Sequence, residues 1–150
     1  TLVLFDGEDM GRSGIPKSYA QGSLAFAKDL PIEKPDEAII LDMIGDAELH
    51  IPIERFSYQQ NRKLVKKLWG LAKELSLDAF ESRIVHTIYD DHVPLWAEAK
   101  IPAIDIIDFN YPNSYANYWH TTQDLPENCS AESLGQVGTL LVHYIYGRQK

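Results

Sequence analysis

Three short segments of the chain carry side chains that could do chemistry, and each ends or interrupts an apolar run. They are residues 5–9 (Phe-Asp-Gly-Glu-Asp), 41–46 (Leu-Asp-Met-Ile-Gly-Asp) and 118–121 (Tyr-Trp-His-Thr). Carboxylate oxygens and an imidazole nitrogen form a ligand set that suits zinc, and a carboxylate left over can act as a general base. The combination predicts metal-assisted attack at a carbonyl or amide carbon.

Taken singly, most of these side chains also have an ordinary structural explanation. Glu8 and Asp9 could form an exposed acidic turn, and Asp90 or Asp91 could cap a helix. A lone histidine such as His120 is more often hydrogen-bonded than metal-bound. Asp42 is different because it ends a strongly apolar segment, where an unpaired buried charge would be strongly destabilising. We therefore expect Asp42 to contact a cation, a ligand amine or a protein donor.

Composition is that of an ordinary globular domain. The chain has 150 residues, of which 45% are hydrophobic and 24% charged, so it fits one domain over residues 1–150. The net charge of −8, without any basic cluster, argues against a nucleic-acid partner. No apolar run is long enough to span a bilayer. Cys129 is the only cysteine, so we expect a partly buried structural thiol and no internal disulfide.

Hydrophobic periodicity predicts the order strand, helix, strand, helix, helix, strand, helix. The predicted strands are 1–5, 37–44 and 101–107, and the predicted helices are 18–29, 58–75, 93–99 and a last one capped by Ser130. Such alternation favours an α/β fold, a three-layer αβα sandwich around a mixed but mostly parallel sheet. Ligands of such sheets bind beyond the carboxyl ends of the strands, where the three segments fall.

Some details of these elements can be predicted as well. Strand 37–44 is continuously apolar at residues 38–41, so we expect it in the sheet interior, covered on both faces. In helix 58–75 a run of basic residues is expected to be the solvated face. The stripe expected to be buried in the last helix is Leu134, Val137, Leu141 and Ile145. Because the chain opens directly on a buried-strand pattern, we expect it to be part of something longer.

Six motifs in order resemble one enzyme family. They are residues 5–9, 41–46, 90–95 (Asp-Asp-His-Val-Pro-Leu), 101–108 (Ile-Pro-Ala-Ile-Asp-Ile-Ile-Asp), 118–124 (Tyr-Trp-His-Thr-Thr-Gln-Asp) and 127–130 (Glu-Asn-Cys-Ser). Together they closely resemble the glutaminyl-peptide cyclotransferases and their relatives, the zinc aminopeptidases. Trp119 and the doubled acid before His92 are more similar to the cyclotransferase branch. The resemblance implies a zinc-exopeptidase-like fold, of which this chain is the C-terminal portion.

The resemblance also implies roles for individual residues. Glu8 is implied to be the general base and acid, and Asp9 and His120 to be ligands of one zinc ion. Asp42 and Asp90 match positions that hydrogen-bond near the reacting amine in cyclotransferases. In aminopeptidases the position matched by Asp42 binds a second metal. The cofactor expected is therefore one zinc ion, or two in the aminopeptidase alternative.

The remaining implied roles concern the pocket and its surroundings. Trp119, Tyr118 and Phe109 are implied to bind substrate, and His92 is implied to be structural rather than a ligand. Relatives draw further zinc ligands, an aspartate and a histidine among them, from a segment before residues 5–9. Two matched ligands are fewer than the three typical of catalytic zinc, so we infer an upstream portion in the native protein. The resemblance implies a secreted or periplasmic enzyme that acts on peptide N-termini.

Three functions stay open at this point. In a cyclotransferase the α-amine of an N-terminal glutamine attacks its own side-chain amide, and ammonia leaves. In an aminopeptidase Glu8 activates water, which hydrolyses the N-terminal residue from a peptide. A non-catalytic binding module that has lost its metal site is the third possibility.

Overall fold

The structure, a computed structural model, describes residues 1–7 and 10–147. The strands are β1 (Ala38–Asp42), β2 (Ile51–Ile53), β3 (Phe80–Ile84), β4 (Ala103–Ile107), β5 (Pro112–Asn113) and β6 (Ala116–Asn117). The α-helices are α1 (Gln21–Lys28), α2 (Arg55–Gln60), α3 (Arg62–Glu74), α4 (His92–Ala97) and α5 (Ala131–Tyr146). Short 3₁₀ turns lie at Pro16–Ser18 and Pro126–Asn128.

The longer strands form two parallel pairs. β1 pairs with β4 in continuous register from Ala38 opposite Ala103 to Asp42 opposite Ile107. β2 pairs with β3, and β2 also lies beside β4. The two-residue strands β5 and β6 form an antiparallel hairpin. A mixed but mostly parallel sheet arrangement is thus confirmed.

Helices cover both faces of β4, which explains why all five of its residues are buried. Ile104 and Ile106 point to one side, where they join a core built with α3 and α5. Ala103 points to the other side and packs in a smaller core with Ala27 of α1 and Leu95 of α4. Side chains alternate along a strand, so one apolar strand serves both cores. The predicted αβα layering is confirmed.

Two expectations about strands are wrong. Residues 1–5 lie outside any strand, and Leu2 and Leu4 are largely exposed. An apolar sequence becomes a strand only where it has a partner edge to pair with. β1 is not covered on both faces, because it is only half-buried and Leu41 is 40% exposed. Within the described residues β1 pairs along one edge, with β4, and β4 takes the fully covered position.

The helix expected at 58–75 is in fact two helices. Asn61 has φ −141° and ψ 62°, which ends α2, and its side-chain oxygen accepts a hydrogen bond from the Leu64 N–H at 3.1 Å, which caps α3. The basic residues expected on the solvated face of α3 are exposed, as predicted; they are Arg62, Lys63, Lys66, Lys67 and Lys73. In α4, which starts at His92 rather than Val93, the Asp91 side chain makes no capping bond within the described part of the chain.

The last helix begins as predicted but buries a different stripe. Ser130 Oγ accepts hydrogen bonds from the N–H groups of Glu132 and Ser133, so the predicted cap is confirmed. Of the four residues expected to be buried, Val137 is buried, but Leu134 and Ile145 are 46% and 55% exposed. The buried stripe has the same helical spacing but includes polar side chains; it is Ser133, Val137, Leu140 and Tyr144.

Two further features are the exposure of Cys129 and the lengths of the helices. Cys129 is exposed rather than partly buried, because it follows a surface turn. In the described ranges, none of the helices combines the length and the apolar character that crossing a bilayer requires.

The stripe of α5 can be tested by truncating one residue from each set. Leu140→Ala removes a fully buried side chain and should lower the free energy of unfolding by about 2–5 kcal/mol. Leu134→Ala, on the same helix, should lower it by less than about 1 kcal/mol because that side chain is half-exposed. Urea denaturation measures both, and equal losses would contradict the stripe.

Candidate active site

A small cavity lies where β1 and β4 end. Because these strands run parallel, Asp42 at the end of β1 and Phe109 just beyond β4 come to the same edge of the sheet. The segment after β3 brings Asp90 there, and Trp119 closes the aromatic side. The cavity measures about 250 Å³ and is lined by Ser13, Gly14, Pro16, Tyr19, Asp42, Thr87, Ile88, Tyr89, Asp90, Phe109 and Trp119. Four of the predicted site residues thus share one cavity.

Aromatic rings build the wall next to His120. The rings of Trp119 and His120 lie 4.1 Å apart between centroids, and Tyr19 packs 5.3 Å from the imidazole. Phe109 lies 5.5 Å from Trp119. His120 itself is exposed and has φ +57°, in the left-handed region that non-glycine residues seldom adopt. This backbone twist turns the chain at the point where the imidazole meets the aromatic wall.

Not every predicted residue reaches this cavity. Tyr118 packs edge-on against Tyr111, with ring centroids 5.8 Å apart, and is not among the lining residues. Its role in substrate binding stays a prediction. Glu8 and Asp9 lie outside the described residues, so their roles as base and zinc ligand stay predictions as well.

Behind Asp90 lies a buried polar cluster that the sequence analysis only partly recognised. His92 is 0% exposed; its Nε2 atom lies 3.2 Å from Glu54 Oε2 and its Nδ1 atom 3.6 Å from Asp105 Oδ2. The implied structural place of His92 agrees with this position. Glu54 and Asp105 were missed, although each gave a signal: an acid follows the apolar Ile51–Ile53, and an acid interrupts the apolar β4.

The carboxyl groups of this cluster have displaced pKa values. Burial raises the pKa of Asp90 to about 7, and the neighbouring charges of Asp42 and Asp91 act in the same direction. Burial also raises the pKa of Asp105 well above its usual range, reinforced by the charges of Asp90 and Asp42. A carboxyl group that titrates near neutral pH can both take up and release a proton during a reaction.

Glu54 behaves in the opposite way although it is equally buried. Burial would raise the pKa of Glu54, but hydrogen bonds from His92 and from the Ser57 N–H outweigh it and lower the pKa. The environment of Glu54 therefore favours its ionised form, whereas burial favours the protonated form of Asp105. This difference reduces the repulsion among acids that share a dry interior.

Two sets of donors in the chain fit a zinc ion by their chemistry. The first is the predicted pair, Asp9 and His120, of which the imidazole lies beside the cavity. The second is Asp90, His92 and Asp105, each of which offers a ligand atom within 4.8 Å of the others. Ligand atoms of one tetrahedral zinc lie roughly 3.4 Å apart, so the second set would have to contract to bind it.

The raised pKa of Asp90 has a consequence for stability in the metal-free protein. An unfolded aspartate loses its proton near pH 3.8, whereas folded Asp90 keeps it up to about pH 7, so wild-type stability falls as pH rises through this window. Asp90→Asn removes this dependence. The difference in free energy of unfolding, variant minus wild type, should therefore increase by about 2–3 kcal/mol as the pH rises from about 5 to 8. Urea titrations at several pH values measure it; a constant difference would contradict it.

The fold resembles those of solved glutaminyl cyclases and of a zinc-dependent exopeptidase. The glutaminyl cyclase of Porphyromonas gingivalis is 30% identical, with a TM-score of 0.88 over 96% of this chain and 52% of that one. The Tannerella forsythia glutaminyl cyclase is 31% identical, with a TM-score of 0.85 over 95% of this chain and 52% of that one. A zinc-dependent exopeptidase from Parabacteroides distasonis is 29% identical, with the same TM-score and coverage.

Three further facts complete these comparisons. The chain spans about half the length of these solved proteins. No match was found among curated proteins. The family model described as peptidase family M28 matches residues 1–145, nearly the whole chain. With the αβα fold and the acid-lined cavity at the strand ends, this match places the chain in a family: it belongs to peptidase family M28.

Proposed function

We propose that the protein is a zinc-dependent glutaminyl-peptide cyclotransferase that closes an N-terminal glutamine and releases ammonia. The observation that carries this proposal is the pairing of Asp42 and Asp90 in a small cavity walled by Trp119 and Phe109. The similarity to two solved glutaminyl cyclases, at 30% and 31% identity, supports it. Membership of family M28 supports the coarser part of the proposal, an enzyme that acts on peptides.

The cavity suits an amine next to a short side chain. Asp42 and Asp90 place two carboxyl groups together, and one of them titrates near neutral pH. Such a pair would accept hydrogen bonds from an amine N–H. A cavity of about 250 Å³ admits one small residue, and the flat faces of Trp119 and Phe109 would pack against its methylene groups.

The proposed reaction consists of orientation of the amine, proton transfer, ring closure and loss of ammonia. Asp42 and Asp90 orient the α-amine towards the side-chain amide carbon, and Glu8 removes a proton from the attacking nitrogen. The new carbon–nitrogen bond closes the ring, the original amide bond breaks, and Glu8 returns the proton to departing ammonia. Asp9 and His120 would hold zinc, which when bound supplies Lewis-acid polarisation of the amide carbonyl.

A zinc aminopeptidase is the second candidate. Its support is the similarity to a zinc-dependent exopeptidase at 29% identity and the family name itself. In this reading Glu8 activates a water molecule, and Asp42 belongs to a second metal position. The two candidates differ in whether the nucleophile is the substrate amine or water.

A single substrate distinguishes the two reactions. We expect the full-length protein to convert a peptide that begins with glutamine into a product lighter by one ammonia, as measured by mass spectrometry. Release of free glutamine instead would favour the aminopeptidase. A peptide beginning with asparagine is the matched control, because its side chain is one methylene shorter and would close a strained four-membered ring.

Zinc binding through His120 can be tested separately. His120→Ala should lower the zinc content of the full-length protein, because an imidazole ligand is lost next to the cavity. His143→Ala, an exposed histidine on α5 whose ring contacts its own helix, is the matched control and should leave zinc unchanged. Elemental analysis after reconstitution measures both. Wild-type protein without zinc would favour the non-catalytic binding module.

A further inference from the structure

Glu54 lies outside the cavity, yet it contacts the chain on both sides of Asp90. We propose that Glu54 is a positioning residue that fixes the Asp90 carboxyl group in the active site by holding its two flanks. The role in catalysis rests on the proposed function, whereas the structural part of the inference can be tested without it.

The first flank is the segment that enters the cavity. Glu54 Oε1 accepts a hydrogen bond from the N–H of Ile88 at 3.1 Å, and Ile88 lies two residues before Asp90. Next to it, the Arg55 N–H donates to the His86 carbonyl oxygen at 2.9 Å. The start of α2 is thus hydrogen-bonded to the segment that follows β3.

The second flank is the first turn of α4. Glu54 Oε2 lies 3.2 Å from Nε2 of His92, two residues after Asp90, and the other nitrogen of that ring faces Asp105. The N–H of Val93 donates to the Asp90 carbonyl oxygen at 2.8 Å, which closes the turn around Asp90. One carboxylate therefore restrains the residues at both ends of a five-residue segment.

Glu54 is itself held rigidly. Its oxygens accept hydrogen bonds from the N–H groups of Phe56 and Ser57 and from Ser57 Oγ, and the side chain is 1% exposed. Ser57 Oγ also accepts from the N–H of Asp105 in β4, at 2.9 Å. The position of Asp90 is thus coupled to the start of α2 and, through Ser57, to β4, all five residues of which are buried.

Capping of α2 alone does not explain a glutamate here. Aspartate, asparagine and serine are the preferred N-cap residues, and a shorter side chain would reach the first N–H groups of the helix. The extra methylene of Glu54 is what allows one carboxylate to contact the helix, Ile88 and His92 together. Glu54→Asp therefore separates the two roles, because it keeps the charge and the cap but shortens the reach.

The kinetic test uses the full-length enzyme and a glutamine-initiated peptide. Glu54→Asp should lower kcat about 10- to 100-fold with KM nearly unchanged, since a small displacement of a reacting group is amplified in the transition state. Asp46→Asn is the matched control: it removes another buried carboxylate, which accepts a hydrogen bond from the Glu48 N–H and is not among the cavity-lining residues, and should keep kcat near wild type. Wild-type kcat in Glu54→Asp would overturn the inference.

A double variant tests whether Glu54 acts through Asp90. In an Asp90→Asn background, Glu54→Asp should produce no further loss of kcat, because the group that it positions is already changed. If the two losses multiply instead, Glu54 acts by another route and the inference fails. His92→Gln, which removes only one of the two restraints, should give a smaller loss in the same direction and should leave the zinc content unchanged. Loss of a zinc equivalent would overturn the inference in favour of a metal site at Asp90, His92 and Asp105.

A measurement independent of activity separates the two proposals. Amide hydrogen exchange of Ile88 should be about tenfold or more faster in Glu54→Asp, while amides within α3 exchange as in wild type. Faster exchange in an enzyme that shows neither cyclisation nor hydrolysis would contradict the proposed function and support the restraint. Unchanged protection of Ile88 would overturn the restraint whatever the activity.

Discussion

The structure depends on keeping several acids in a dry interior. Glu54, Asp90 and Asp105 are buried around the imidazole of His92, and Asp42 lies half-buried nearby. Three adjacent carboxylates could not all be ionised there, because buried like charges repel strongly and lose their hydration. The fold avoids this by giving each acid a different environment. Glu54 is stabilised as an anion by hydrogen-bond donors, whereas burial favours the protonated form of Asp105.

The buried acids with opposite pKa shifts lie directly behind the cavity. Asp90 lines the same cavity as Asp42, and burial, reinforced by the charges of Asp42 and Asp91, raises its pKa to about 7. Two elements, β4 and the start of α2, hold these acids in place. β4 carries Asp105, and the start of α2 carries Glu54 and Ser57, which bond to β4 and to the segment before Asp90. The segment that carries Asp90 to the cavity is thus held by side chains buried behind it.

The sequence predicted the placement of the site better than the interactions that hold it. Alternating strands and helices imply a common edge for strand ends, where Asp42 and Trp119 could be expected. The family resemblance added Asp90 and Phe109 to the expected site. Glu54 could not be predicted, because its contacts to Ile88 and His92 join residues 34 and 38 positions away in the sequence. Local periodicity does not predict contacts between residues so far apart in the sequence.

Other failures have similar physical causes. β2 is three residues long and contains a proline, and β3 is largely polar, so neither has an alternating pattern of useful length. In α5 two stripes share the same spacing, and the one that contacts the core includes Ser133 and Tyr144, which look polar in sequence. Tertiary contacts decide between such equivalent patterns.

The exposed thiol of Cys129 has a practical consequence. It is the single cysteine of these 150 residues, and it adjoins the turn after Asp42, where the Ser130 N–H donates to the Gly45 carbonyl oxygen at 2.8 Å. A methyl group added to Gly45 would come within 2.9 Å of the sulfur, so turn and thiol are in close contact. A fluorophore or spin label attached to this sulfur would report on the turn that follows β1, in a chain that already offers the attachment point.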